Sequence, residues 1–179
     1  MTTGANVGAL LDRIYKGAAV LAAASIGAIC LLISAQIVLN AATRAGLPVP
    51  STIPSYADFA GFLLAGATFL ALPWTLRTGG HVRVNLVTRA LPTRVALFVE
   101  IAVLALAAGF AAYAAFYAGL LVVESHAFGD VSPGIVPVPL WIPQSVMVAG
   151  LGLLAVALLH SLVETWRARV PVLGGGEEA

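Results

Sequence analysis

Few side chains in this chain of 179 residues could do chemistry, and their spacing restricts what that chemistry could be. His81, His126 and His160 are its three histidines, and Cys30 is its single cysteine. Haem or metal ligation needs ligands that converge, and no two of these histidines share a helical face. Cys30 lies in an apolar run, where it reads as a small buried hydrophobe and excludes an internal disulfide. Neither HExxH nor GxSxG occurs, so the usual signatures of zinc and serine hydrolases are missing. The expectation is a protein that is not an enzyme, with no catalytic, cofactor-binding or metal-binding residue. Two carboxylates carry more weight. Asp58 and Glu100 fall inside apolar stretches, and a carboxylate in hydrocarbon marks a pairing or functional site. They belong to opposite leaflets with no titratable residue between them, which suits pairing or hydrogen bonding better than a proton relay. Arg94 shares a leaflet with Glu100 and can supply its counter-charge, as can a partner protein.

The other polar feature is the run RTGGHVRVNLVTRALPTR, Arg77 to Arg94, which holds four of the nine basic residues. Its surroundings explain it. Hydrophobic residues make up 60% of the chain and charged residues 9%, whereas a soluble domain carries about 25% charged residues. Mean hydropathy is +1.00. So little polar surface cannot coat a water-soluble globule, and the chain reads as an all-α integral membrane protein. The net charge of +1 gives no footprint for a nucleic-acid partner.

Charges and prolines punctuate four apolar spans, about 17–39, 56–76, 95–123 and 141–163, within a single membrane domain covering 1–179. At ~1.5 Å per residue each is long enough for a hydrocarbon core of ~30 Å. Backbone groups in lipid must be satisfied internally, and strand-like alternation is absent, so the spans are helices. The third is long enough to require tilting or projection from the membrane. The first follows a basic flank (Arg13, Lys16) but exceeds a signal-peptide core, which makes it an anchor.

Eight of the nine basic residues fall on one side of this arrangement: Arg13, Lys16, Arg77, Arg83, Arg89, Arg94, Arg167 and Arg169. Only Arg44 falls on the other. Short-loop Lys/Arg bias sets orientation, so both termini are expected in the cytoplasm. Within the loop between the second and third helices, Val82, Leu86, Val87, Ala90 and Leu91 line one helical face and Arg83, Thr88 and Arg89 the opposite one. This pattern predicts a short interfacial amphipathic helix, ended by Pro92. On the outer side, SPGIVPVPLWIP (Ser132–Pro143) should be extended, because proline removes amide donors and fixes φ. Small residues at Ala107, Ala111, Ala115 and Gly119, and at Gly61 and Ala65, form ridges for close helix packing. Broken helices and repeats, the usual marks of a complete secondary transporter, do not appear.

The run Arg77-Thr78-Gly79-Gly80-His81-Val82-Arg83-Val84-Asn85, placed after the second of four spans, resembles the signature of the DctQ-like family. These are the small membrane subunits of tripartite ATP-independent periplasmic (TRAP) transporters. The start of the fourth span (Pro139, Trp141, Pro143, Gln144) is similar too. The chain departs from the family pattern at Asn85, where Asp is frequent, and at Tyr56-Ala57-Asp58, where an aromatic residue precedes paired acids. The resemblance implies a non-catalytic subunit in a bacterial inner membrane. It would pack on a large permease subunit that imports an organic acid with sodium, delivered by a periplasmic binding protein. Residues expected to contact that subunit or membrane lipids are Arg77, Gly80, His81, Arg83, Asn85, Arg89, Asp58 and Glu100. The rival readings are a self-contained four-helix carrier or channel and a membrane redox subunit.

Overall fold

The structure, a computed structural model, describes residues 2–79 and 92–168. Among them are four helices: α1 (Thr2–Arg44), α2 (Tyr56–Arg77), α3 (Thr93–Phe128) and α4 (Trp141–Ala168). Each contains one of the four expected apolar spans, and each is long and apolar enough to cross a membrane. The expected interfacial helix lies outside the described residues, as do Gly80, His81, Arg83, Asn85 and Arg89.

Two helices far exceed one bilayer. The 43 residues of α1 and 36 of α3 correspond to roughly 65 Å and 54 Å at the helical rise. Both must therefore tilt strongly or project from a hydrocarbon core of about 30 Å. Backbone chemistry sets their ends. Gly46 (φ 84°) and Gly129 (φ 68°) adopt the left-handed conformation just past α1 and α3. The Leu47 amide then donates back to the Ala42 carbonyl at 3.1 Å, and the Asp130 amide to the Ser125 carbonyl at 3.0 Å. These bonds satisfy carbonyls that the helix end would leave orphaned.

The helices form an open row rather than a closed bundle. α2 lies between α1 and α4, α3 packs on the far side of α4, and α1 meets α4 at only a few points. The buried apolar residues follow this seam and are mostly small, including Ala108, Ala111, Ala155 and Ala157 beside Leu104 and Leu158. Of the expected ridge on α3, Ala111 is buried and Ala107 packs on the core, whereas Gly119, like Gly61, faces open space, so only the first half of the ridge faces inward. The large side chains face out: Phe98, Leu106, Phe110, Tyr113 and Phe116 on α3, and Leu31, Ile37 and Val38 on α1, are exposed. A surface this apolar suits lipid or another membrane protein, not water.

The tightest crossing is between α2 and α4. A Cβ added at Gly150 would lie 2.5 Å from the carbonyl carbon and oxygen of Phe69. The cause lies one turn along α2. Pro73, buried inside the helix, has no N–H to donate to the Phe69 carbonyl, and its ring pushes that carbonyl outward. Gly150, which has no side chain, lets the α4 backbone come close to that carbonyl. The expected pair at Gly61 and Ala65 does not play this part, because Gly61 faces open space.

Candidate functional site

The polar groups of the described residues gather at the two ends of the row. At the end shared by the start of α1 and the end of α4, Arg77 is the hub. Its side chain is only 14% exposed and reaches two other helices. Nε donates to Asp12 Oδ1 of α1 at 3.2 Å, and Nη1 to Ser161 Oγ of α4 at 3.2 Å. Nη1 and Nη2 also clasp both carboxylate oxygens of Glu164, the Nη2–Oε1 distance being 3.3 Å. A planar fork matches a carboxylate in this way, which a lysine could not do. His160 Nε2 lies 3.4 Å from Glu164 Oε1, one helical turn away on α4. The imidazole packs beside Tyr15, with ring centroids 6.3 Å apart. Tyr15 Oη and His160 Nδ1 are buried without a hydrogen-bond partner among the described residues.

Helix register creates this cluster. Arg77 is the last residue of α2 and its cation sits at the negative end of that helix, a favourable placement. Ser161 and Glu164 stand three residues apart on α4, on neighbouring positions of one face. Asp12 and Tyr15 repeat that spacing on α1. The assembly is an electrostatic clip joining α1, α2 and α4. Among the described residues no group of three His, Cys, Asp or Glu could hold a metal ion.

The opposite end is held by neutral groups. Gln36, 5% exposed, accepts hydrogen bonds through Oε1 from the Ile53 amide at 2.7 Å and the Thr52 hydroxyl at 3.3 Å. Its Nε2 donates to the Ser51 carbonyl at 3.2 Å. The loop before α4 turns back on itself, the Ser132 amide donating to the Val138 carbonyl and the Leu140 amide to the Asp130 carbonyl, each at 2.9 Å. Its tip rests on the start of α2, where Ser55 Oγ accepts from the Val136 amide at 2.8 Å. The Asp58 and Ser55 side chains close over Gly134, so a side chain there would have to displace them.

The described site residues are thus separated. Arg77 lies in the clip, Asp58 in the first turn of α2 at the other end, and Glu100 is buried, 8% exposed, near the start of α3. Arg94, the expected counter-charge, is exposed. Sequence reasoning missed Asp12, Ser161, Glu164 and Gln36. Counting cations alone hid the acids: Asp12 and Glu164 lie at the same end of the row as Arg77. Gln36, a lone amide in an apolar run, had a signal that went unread.

No curated protein and no solved structure matches the chain. The family described as tripartite ATP-independent periplasmic transporters, DctQ component, matches over residues 29–168. That family is a transporter component rather than an enzyme family, and its members work with a large permease and a binding protein. The match takes in α2, α3, α4 and the part of α1 from residue 29 onward, so Asp12 and Tyr15 lie outside it. The chain therefore belongs to the DctQ family, as the small membrane component of a TRAP transporter and a multi-pass membrane protein.

Proposed function

We propose that this chain is the small permease subunit that packs on and stabilises the scaffold of a large permease subunit. The large subunit imports an organic acid with sodium, and a periplasmic binding protein supplies the substrate. The observation that carries the reading is the family match across 29–168. Two features support it. The open row leaves the flanks of α1 and α3 covered with exposed large apolar side chains, a surface a scaffold can use. The most strongly paired charges of the described residues form a clip between helices at one end, suited to fixing helix positions rather than to passing ions. Both termini face the cytoplasm of a bacterium, by the basic-residue bias. Arg77, Gly80, His81, Arg83, Asn85 and Arg89 form the cytoplasmic contact with lipid and the large subunit, and Asp58 and Glu100 fix the helices that flank it.

The test is reconstitution. In liposomes with the large subunit, the binding protein and a sodium gradient, the chain should support organic-acid uptake. Alone it should give none. Uptake by the chain alone would establish the self-contained carrier instead, and a haem absorption band in the pure protein would establish the redox subunit.

A further inference from the structure

Beside the clip, on its outward side, runs a groove of about 760 Å³ between the first turns of α1 and the last turns of α4. Its size falls in the range of small-ligand pockets, about 300–1,000 Å³. Its lining changes character along its length. One stretch is apolar, with Leu11, Val156, Leu159 and Val163. The other holds Asp12, Glu164 and Arg167, with His160 as a wall. From Val156 to Val163 the helical rise gives about 10 Å, which fits within half a hydrocarbon core of about 30 Å. The polar stretch is at the helix end and the apolar stretch runs toward the middle of α4. That is the layout of one leaflet: headgroup outside, acyl chain inward.

The charges select the headgroup. Arg77 neutralises only one of its two carboxylates. Both acids keep exposed oxygen surface, the side chains of Asp12 and Glu164 being 46% and 35% exposed. The residual negative charge faces the groove a turn below Arg167, an exposed cation. A cation and an anion side by side complement a zwitterion better than a purely anionic lipid. Carboxylates with free lone pairs favour an ammonium that can donate hydrogen bonds over a methylated one that cannot.

We propose that this groove holds one amine-bearing phospholipid, its phosphate on Arg167, its headgroup folded back so that the ammonium reaches Asp12 and Glu164 a turn below, and an acyl chain along Val156, Leu159 and Val163. The lipid fills the gap left where α1 and α4 barely touch, and so braces the open side of the clip. The inference rests on the membrane-spanning fold and not on which substrate is carried.

Native mass spectrometry of the full chain, alone and released from its complex with the large subunit, tests it. The probes are phosphatidylethanolamine, phosphatidylcholine and phosphatidylglycerol with identical acyl chains. One phosphatidylethanolamine should be retained in preference to the other two. Arg167→Gln should lower its occupancy about fivefold, the worth of one basic residue at a headgroup layer. Leu159→Trp, at a half-exposed site away from Arg77, should block the groove and abolish retention while leaving thermal unfolding in lipid-free detergent unchanged. Equal retention of the three lipids, preference for phosphatidylglycerol, or unchanged retention in Leu159→Trp would each overturn the proposal. So would loss of the lipid in the complex, which would mean that the large subunit fills the groove.

Discussion

The two ends of this helix row are fastened by different chemistry. At one end a guanidinium binds two carboxylates and a hydroxyl, joining residues 65, 84 and 87 positions apart. At the other, an amide and two serines hold backbone groups of the loops: Gln36 and Ser132 act on segments near them in sequence, and Ser55 on a loop 81 positions away. The difference follows from what each end must restrain. The charged end joins helices whose own backbones are satisfied, so only side chains can tie them. The neutral end must satisfy loop amides beside a membrane, and the side chains that accept from those amides are uncharged, although Asp58 stands beside them. Charge positions helices; amides and hydroxyls shape loops.

Removing the hub should show the contrast most strongly. Arg77→Met leaves Asp12 and Glu164 facing each other without their cation. Breaking a buried pair costs about 3–5 kcal/mol, and the partial exposure of both acids reduces this to about 2–3 kcal/mol. Denaturation in detergent should reveal that loss, and Arg77→Lys should recover only part of it. An unchanged midpoint for Arg77→Met would mean that the clip contributes nothing to the fold.

The crossing between the ends comes next. Gly150→Ala forces a methyl against the Phe69 backbone and should cost about 2 kcal/mol by overpacking. Gly66→Ala, whose added Cβ would meet only Val146 Cγ1 at 3.4 Å, should cost less, and Gly61→Ala, facing open space, nothing measurable. Equal effects at all three would contradict the close approach of α2 and α4.

The neutral end should give the smallest loss. Gln36→Leu leaves the Ile53 amide without its acceptor, worth about 1–2 kcal/mol. The change should be local. Hydrogen exchange should quicken at Ile53 while amides near Arg77 stay protected; faster exchange at both ends would mean that they are not independently fastened.

Much of this was legible in the sequence, and the division has a physical basis. The four helices were readable because membrane length and apolarity are local properties. The inward ridge at Ala107 and Ala111 was readable because helical spacing is also local. Arg77 was marked as important, but its partners were not, since they lie on other helices and one-sequence reasoning has no register between helices. The role of Gly150 was hidden for the same reason: it depends on the Phe69 carbonyl freed by Pro73 on a neighbouring helix.

By the basic-residue bias, the charged end should lie in the cytoplasm and the neutral end outside. Cysteine labelling tests it directly. With Cys30→Ser as background, Ile135→Cys and Arg167→Cys each place one thiol at an exposed position at opposite ends. A membrane-impermeant maleimide applied to intact spheroplasts should label Ile135→Cys at once and Arg167→Cys only after permeabilisation. The reverse pattern, or labelling of both before permeabilisation, would contradict the orientation and with it the assignment of the clip to the cytoplasmic face.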